Sequence, residues 1–143
     1  MDDDQCAELA RAGDVHALYD VSATHPHRAY TWLLYADDLG HDDAGEAMSD
    51  VCEHRDEFHY DDGYATGVAH RELARAYLHA LHGVAHDFDR ACRHIDEFLL
   101  MTFGTLENDA EVRADTIAEF VVGLDKPTAA KLETLRRTCR FGS

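Results

Sequence analysis

The chain is predicted to be all-α: stacked antiparallel helix pairs, about eight helices in total, with a helical cap at the C-terminal end. Three observations predict this. Apolar residues recur at helical spacing along the whole chain, no segment alternates apolar and polar residues long enough for a strand, and Gly, Asp or Pro punctuates the periodic runs.

Cys6, Leu9 and Ala10 mark a short first helix, closed by Gly13. Asp14 is the expected N-cap of the second, which runs through Val15, Leu18 and Tyr19 and ends near His25-Pro26, because the residue before a proline avoids helical backbone. The third helix spans about His27 to Leu39. Ala29, Trp32, Leu33 and Ala36 form one face, while Tyr30, Leu34 and Tyr35 make the other sides apolar too, so it is expected to lie between neighbours. Gly40 stops it.

The fourth helix, about Asp43 to Phe58, turns Ala44, Ala47, Met48, Val51 and Cys52 inward and Glu46, Asp50, Glu53 and Glu57 to water. Tyr60-Asp61-Asp62-Gly63 breaks the pattern. A long fifth helix carries Ala65, Ala69, Leu73, Ala76, Tyr77 and Ala80 and is expected to end at Gly83. Asp87 caps the sixth, whose inner face is Phe88, Ala91, Cys92, Ile95, Phe98 and Leu99, with Gly104 at its end. Asn108 and Glu111 resemble a capping box for the seventh, with Ala114, Ile117, Ala118 and Val121 inside. Pro127 fits the first turn of an eighth through Leu132, Leu135 and Cys139.

At 143 residues the chain is read as one domain, 1–143, large enough for a core without staples. The four cysteines are isolated, with no CxxC pair, and read as buried free thiols. No apolar stretch is long enough to span a bilayer, and a cytoplasmic location is expected. The charge is uneven. The net value is −16, yet residues 126–143 carry five basic residues against Glu133, leaving −20 on the remainder. Such a body repels nucleic acid and anionic lipid and steers a basic protein toward itself.

Residues 69–91 carry Leu73, Tyr77, Gly83, Val84, Asp87 and Ala91 in an order that resembles the Sel-one-like repeat, a relative of the tetratricopeptide repeat. Ala29, Trp32, Gly40 and Ala44 resemble the second helix of another such unit. The resemblance covers about residues 14–104, and it implies helix-pair repeats that present a binding surface. Ala29 and Ala91 are 62 positions apart, beyond the usual period of about 35 to 45, so the array is degenerate. Residues 105–143 are read as capping helices.

Arg71, Arg75, His79 and His82, at i, i+4, i+8 and i+11, form a basic stripe opposite Leu73 and Tyr77 and are the candidate partner-binding residues. In the family the first helix of each repeat lines the concave surface, where such a stripe would meet carboxylates of a partner. Intramolecular pairing with the many acids is the other account of the stripe.

All eleven histidines precede residue 95. His79, His82 and His86 are not expected to share a face, since Gly83 ends the helix before His86. His54, His59, Asp61 and Asp62 read as junction residues, and the Asp37-Asp38 and Asp42-Asp43 pairs as solvated turn and cap residues. No GxSxG, P-loop, GxGxxG or HExxH is present. No catalytic residue, cofactor site or metal-ligand set is therefore expected. The expected role is a non-catalytic protein-interaction module with a basic partner, an immunity or inhibitor protein being its narrower form, acting as a monomer or weak dimer without nucleic acid or membrane. The alternative is a histidine-based metal-binding or pH-responsive helical protein.

Overall fold

Residues 2–54, 62–103 and 110–135 are described in a computed structural model of the chain. Among them the protein is all-α: α1 (Asp3–Ala12), α2 (Val15–Val21), α3 (Pro26–Asp38), α4 (Asp43–His54), α5 (Asp62–His79), α6 (Phe88–Phe103), α7 (Ala110–Val121) and α8 (Lys126–Leu135). No strand occurs among the described residues.

Local chemistry sets most of the boundaries. Asp2 caps α1 in a capping box with Gln5, and Gly13 closes the helix at φ +76°. The Asp14 carboxylate accepts the Ala17 amide at the start of α2. Pro26 occupies the first turn of α3, where a missing N–H is harmless, and Asp87 accepts the Arg90 amide above α6. Asp125 does the same for Thr128, so that Pro127 falls in the first turn of α8.

α3 lies at the centre of the first half and packs on α1, α2, α4 and α5, in keeping with its apolar circumference. Ala29, Trp32, Leu33, Leu34, Tyr35 and Ala36 are all buried. Trp32 still satisfies its indole N–H, which donates to Asp3 at 3.0 Å and ties α3 to α1. The most extensive pairing is α5 with α6, joined through Leu73, Tyr77, Ala91, Ile95 and Leu99.

Three expectations need correction. α5 ends at His79 rather than Gly83, because Ala80 and His82 adopt left-handed backbone (φ +52° and +57°) around a short 3₁₀ turn, Leu81–Gly83. Ala80 is consequently exposed, not inward. On α7 Ile117 and Phe120 are buried, while Ala118 faces solvent. The proposed Asn108–Glu111 box, the end of α4 beyond His54 and Cys139 lie outside the described residues. Cys6 and Cys92 are buried thiols, and burial raises the Cys6 thiol above its usual range and pushes Cys92 up to about 12. No described helix is long and apolar enough to cross a membrane.

Candidate functional site

Each member of the predicted basic stripe contacts the protein's own structure. Arg71 lies 6.0 Å above the Phe98 ring and 3.6 Å from Glu72, and Arg75 sits 5.9 Å over Phe120 and 3.7 Å from the same Glu72. The His79 ring contacts the Phe120 carbonyl at 3.2 Å. His82 is off the helix, with Nδ1 2.6 Å from Asp4 and its ring edge-on to Trp32. The four side chains thus join α5 and its following turn to α1, α3, α6 and α7.

The structure instead gathers a polar cluster between α3, α5 and α6 that the sequence did not single out. His70 and His94, both buried, face one another with Nδ1 atoms 2.8 Å apart. The other nitrogen of His94, Nε2, lies 2.6 Å from Asp38 Oδ2, and the Tyr77 hydroxyl donates to the same oxygen at 2.8 Å. The Tyr77 ring stacks on His94 at 5.7 Å and 8°. The result is a chain of partners, Tyr77 to Asp38 to His94 to His70, across three helices.

Asp38 was expected in a solvated turn. Its side chain is only 20% exposed, because the Tyr77 and His94 side chains close on it from α5 and α6. Burial alone would raise its carboxyl, but the His94 hydrogen bond and charge, with the Tyr77 hydroxyl, outweigh burial and hold it below the usual range. Asp38 is therefore an anion. Burial first, then the His94 charge, pushes His70 down to about 4 against a weaker pull from Asp38. Tyr77 is raised by burial and by Asp38, so its phenol keeps its proton. Arg90, raised chiefly by Tyr77 and further by Asp38 and Asp87, is held firmly cationic.

The cluster opens on a cavity of about 300 Å³ lined by Leu34, Asp37, Asp38, His70, Arg90, Arg93, His94 and Glu97. One signal for it was present in the sequence. His70 lies three residues before Leu73 and seven before Tyr77, and His94 three after Ala91, which places both imidazoles on buried helix faces.

A second depression, about 270 Å³, lies between α2 and α4 and is lined by Val15, His16, Tyr19, Asp43, Glu46, Ala47 and Asp50. Beyond it, Asp50, Glu53 and His54 bring ligand atoms within 4.8 Å of one another on the α4 surface. Glu53 and His54 are exposed there, as neighbours at helical spacing commonly are. Of the predicted junction cluster, His59 and Asp61 lie outside the described residues. Comparison with known proteins gives no match to a family model, to a curated protein or to a solved structure.

Proposed function

We propose that this chain is a non-catalytic protein-interaction module that holds a partner with a basic surface. The observation that carries this is the groove between α2 and α4. Asp43, Glu46 and Asp50 stand at i, i+3 and i+7, so one face of α4 presents three carboxylates, and Val15, Tyr19 and Ala47 supply apolar surface beside them. A Lys or Arg side chain laid there keeps its stem on apolar atoms and its head among carboxylates.

The surrounding charge supports the same reading. Residues 1–54 hold thirteen Asp and Glu against Arg11 and Arg28. A field of this sign steers a basic partner inward and acts mainly on the association rate. The Sel-one-like resemblance adds a scaffold. Leu73, Tyr77, Val84 and Ala91 are buried, Gly83 takes a left-handed turn and Asp87 caps α6, as such a repeat would require. A degenerate helix-pair array over residues 14–104, capped by α7 and α8, would present the groove rigidly. An inhibitor or immunity protein for a basic toxin or nucleic-acid enzyme is the narrower form.

Amide NMR with a lysine- and arginine-rich peptide as probe tests the reading. Shifts concentrated in Val15–Val21 and Asp43–His54 support it. Shifts spread evenly over all acidic surface, or centred on another face, overturn the groove as the docking site.

A further inference from the structure

An Nδ1 to Nδ1 separation of 2.8 Å between two imidazoles is a hydrogen bond, so it holds one proton. With Asp38 ionised, His94 turns its Nε2–H to the carboxylate. When both rings are neutral, His94 Nδ1 is therefore the acceptor and His70 Nδ1–H the donor. One more proton leaves the chain of bonds intact. Taken up at His70 Nε2, it lets the central hydrogen pass to His94 Nδ1, so that the charge lies beside Asp38 and His94 Nδ1–H now donates to His70. A second positive charge puts hydrogen on both Nδ1 atoms, face to face with no acceptor between them. The pair accommodates one charge and not two.

We propose that the His70–His94 pair is an acid-operated latch on the α5–α6 packing, closed while the two rings carry at most one positive charge and sprung when both are charged, which opens the cavity beside α3. The groups facing the pair do not lift this limit. α3 contributes Asp37 and Asp38, α5 contributes Tyr77, and α6 contributes Arg90, Arg93 and Glu97. Asp38 already accepts from both His94 and Tyr77, and at the cavity the Arg90 and Arg93 guanidiniums offset the Asp37 and Glu97 carboxylates, so no net negative charge is left over for a second positive one. Burial adds to the effect by disfavouring a charged His70.

A proton suits the gap better than a metal ion. A structural metal site needs three or four convergent ligands. Among the described residues, the Asp50, Glu53 and His54 grouping is found, and no third ligand converges on the two facing Nδ1 atoms, Asp38 lying against the other nitrogen of His94.

Unfolding equilibria of the full chain and of His70→Phe, measured from pH 7 to pH 4, test the latch. The folded-to-unfolded ratio of the native chain is expected to fall by up to about tenfold per pH unit more than that of the variant. Parallel pH profiles overturn the proposal. Should His70→Phe not fold, imidazole nitrogen NMR and amide exchange on the native chain decide instead. His70 staying neutral until α5 and α6 amides lose protection ahead of the other helices supports the latch. A His70 ring that charges near pH 6.5 while those amides stay protected overturns it. Zinc or nickel that raises the unfolding midpoint through His70 also overturns it, in favour of a metal pair.

Discussion

His94 lies between an anion and a second imidazole: its Nε2 is 2.6 Å from Asp38 and its Nδ1 is 2.8 Å from His70. Both ring nitrogens are thereby committed, and the end of α3 is fixed against the middle of α5 and of α6. The consequences are energetic as well as geometric.

The first concerns pH. His70 has an ordinary value of 6.5 in an unfolded chain and about 4 when folded, so below pH 6.5 the unfolded state binds more protons. Stability is therefore fully present above pH 6.5 and falls as the pH drops toward 4, by on the order of 3 kcal/mol in all. Asp38, lowered from 3.8, continues the loss below that value. Urea unfolding at half-unit pH steps checks this, and a flat profile from pH 7 to pH 4.5 would contradict it.

Removing the anion has a larger effect than removing the phenol. Asp38→Asn leaves His94 and Tyr77 facing a neutral amide and is expected to destabilise by about 1.5–3 kcal/mol, the range for hydrogen bonds to charged groups. Tyr77→Phe keeps the ring stacked on His94 and loses one bond, so about 1 kcal/mol is expected. Chemical denaturation of the two variants at pH 7 gives the order, and a reversed order would show that Tyr77 rather than Asp38 anchors the cluster.

Two glycines give opposite signs. A Cβ at Gly13, where φ is +76°, would lie 2.8 Å from the His41 ring, so Gly13→Ala is expected to destabilise by about 1 kcal/mol or more. Gly45 is inside α4 with only the Asp37 carboxylate at 3.9 Å, and Gly45→Ala is expected to stabilise by about 0.5–1 kcal/mol. Thermal melts of the two variants shifting in the same direction would contradict the local account.

Leu73 is fully buried where α5 meets α6. Truncation to Ala leaves a cavity there and is expected to cost about 2–5 kcal/mol. Exposed Leu100→Ala should change stability by less than about 0.5 kcal/mol. Comparable losses for both would contradict the assigned core.

What could be read from the sequence was what depends on neighbours a few residues away. Asp14, Asp87 and Pro127 announced their helix starts, and Ala29, Trp32 and Leu73 their burial, because capping and periodicity are local. The end of α5 was misplaced because nothing in an alanine signals left-handed backbone, which ordinarily costs about 1–2 kcal/mol and must be imposed by packing. On α7, Phe120 and Ala118 both fit helical spacing beside Ile117 and Val121, and only the neighbouring helices choose between them. Asp38 was the deeper loss. A carboxylate at the end of a helix reads as solvated until its partner, His94, arrives from 56 positions along the chain. The two imidazoles did sit on apolar faces, but spacing alone does not pair one helix's histidine with another's.

The measurement that bears most directly on the binding role is the affinity for a basic peptide of two charge-matched variants. One is Asp43→Asn, Glu46→Gln, Asp50→Asn in the α2–α4 groove. The other neutralises Asp89, Glu97 and Glu119 on α6 and α7. If the groove is the docking site, the first variant loses at least about tenfold more affinity than the second at the same salt, equivalent to about 1.4 kcal/mol. Equal losses would mean that net charge alone attracts the peptide, and the groove would hold no partner.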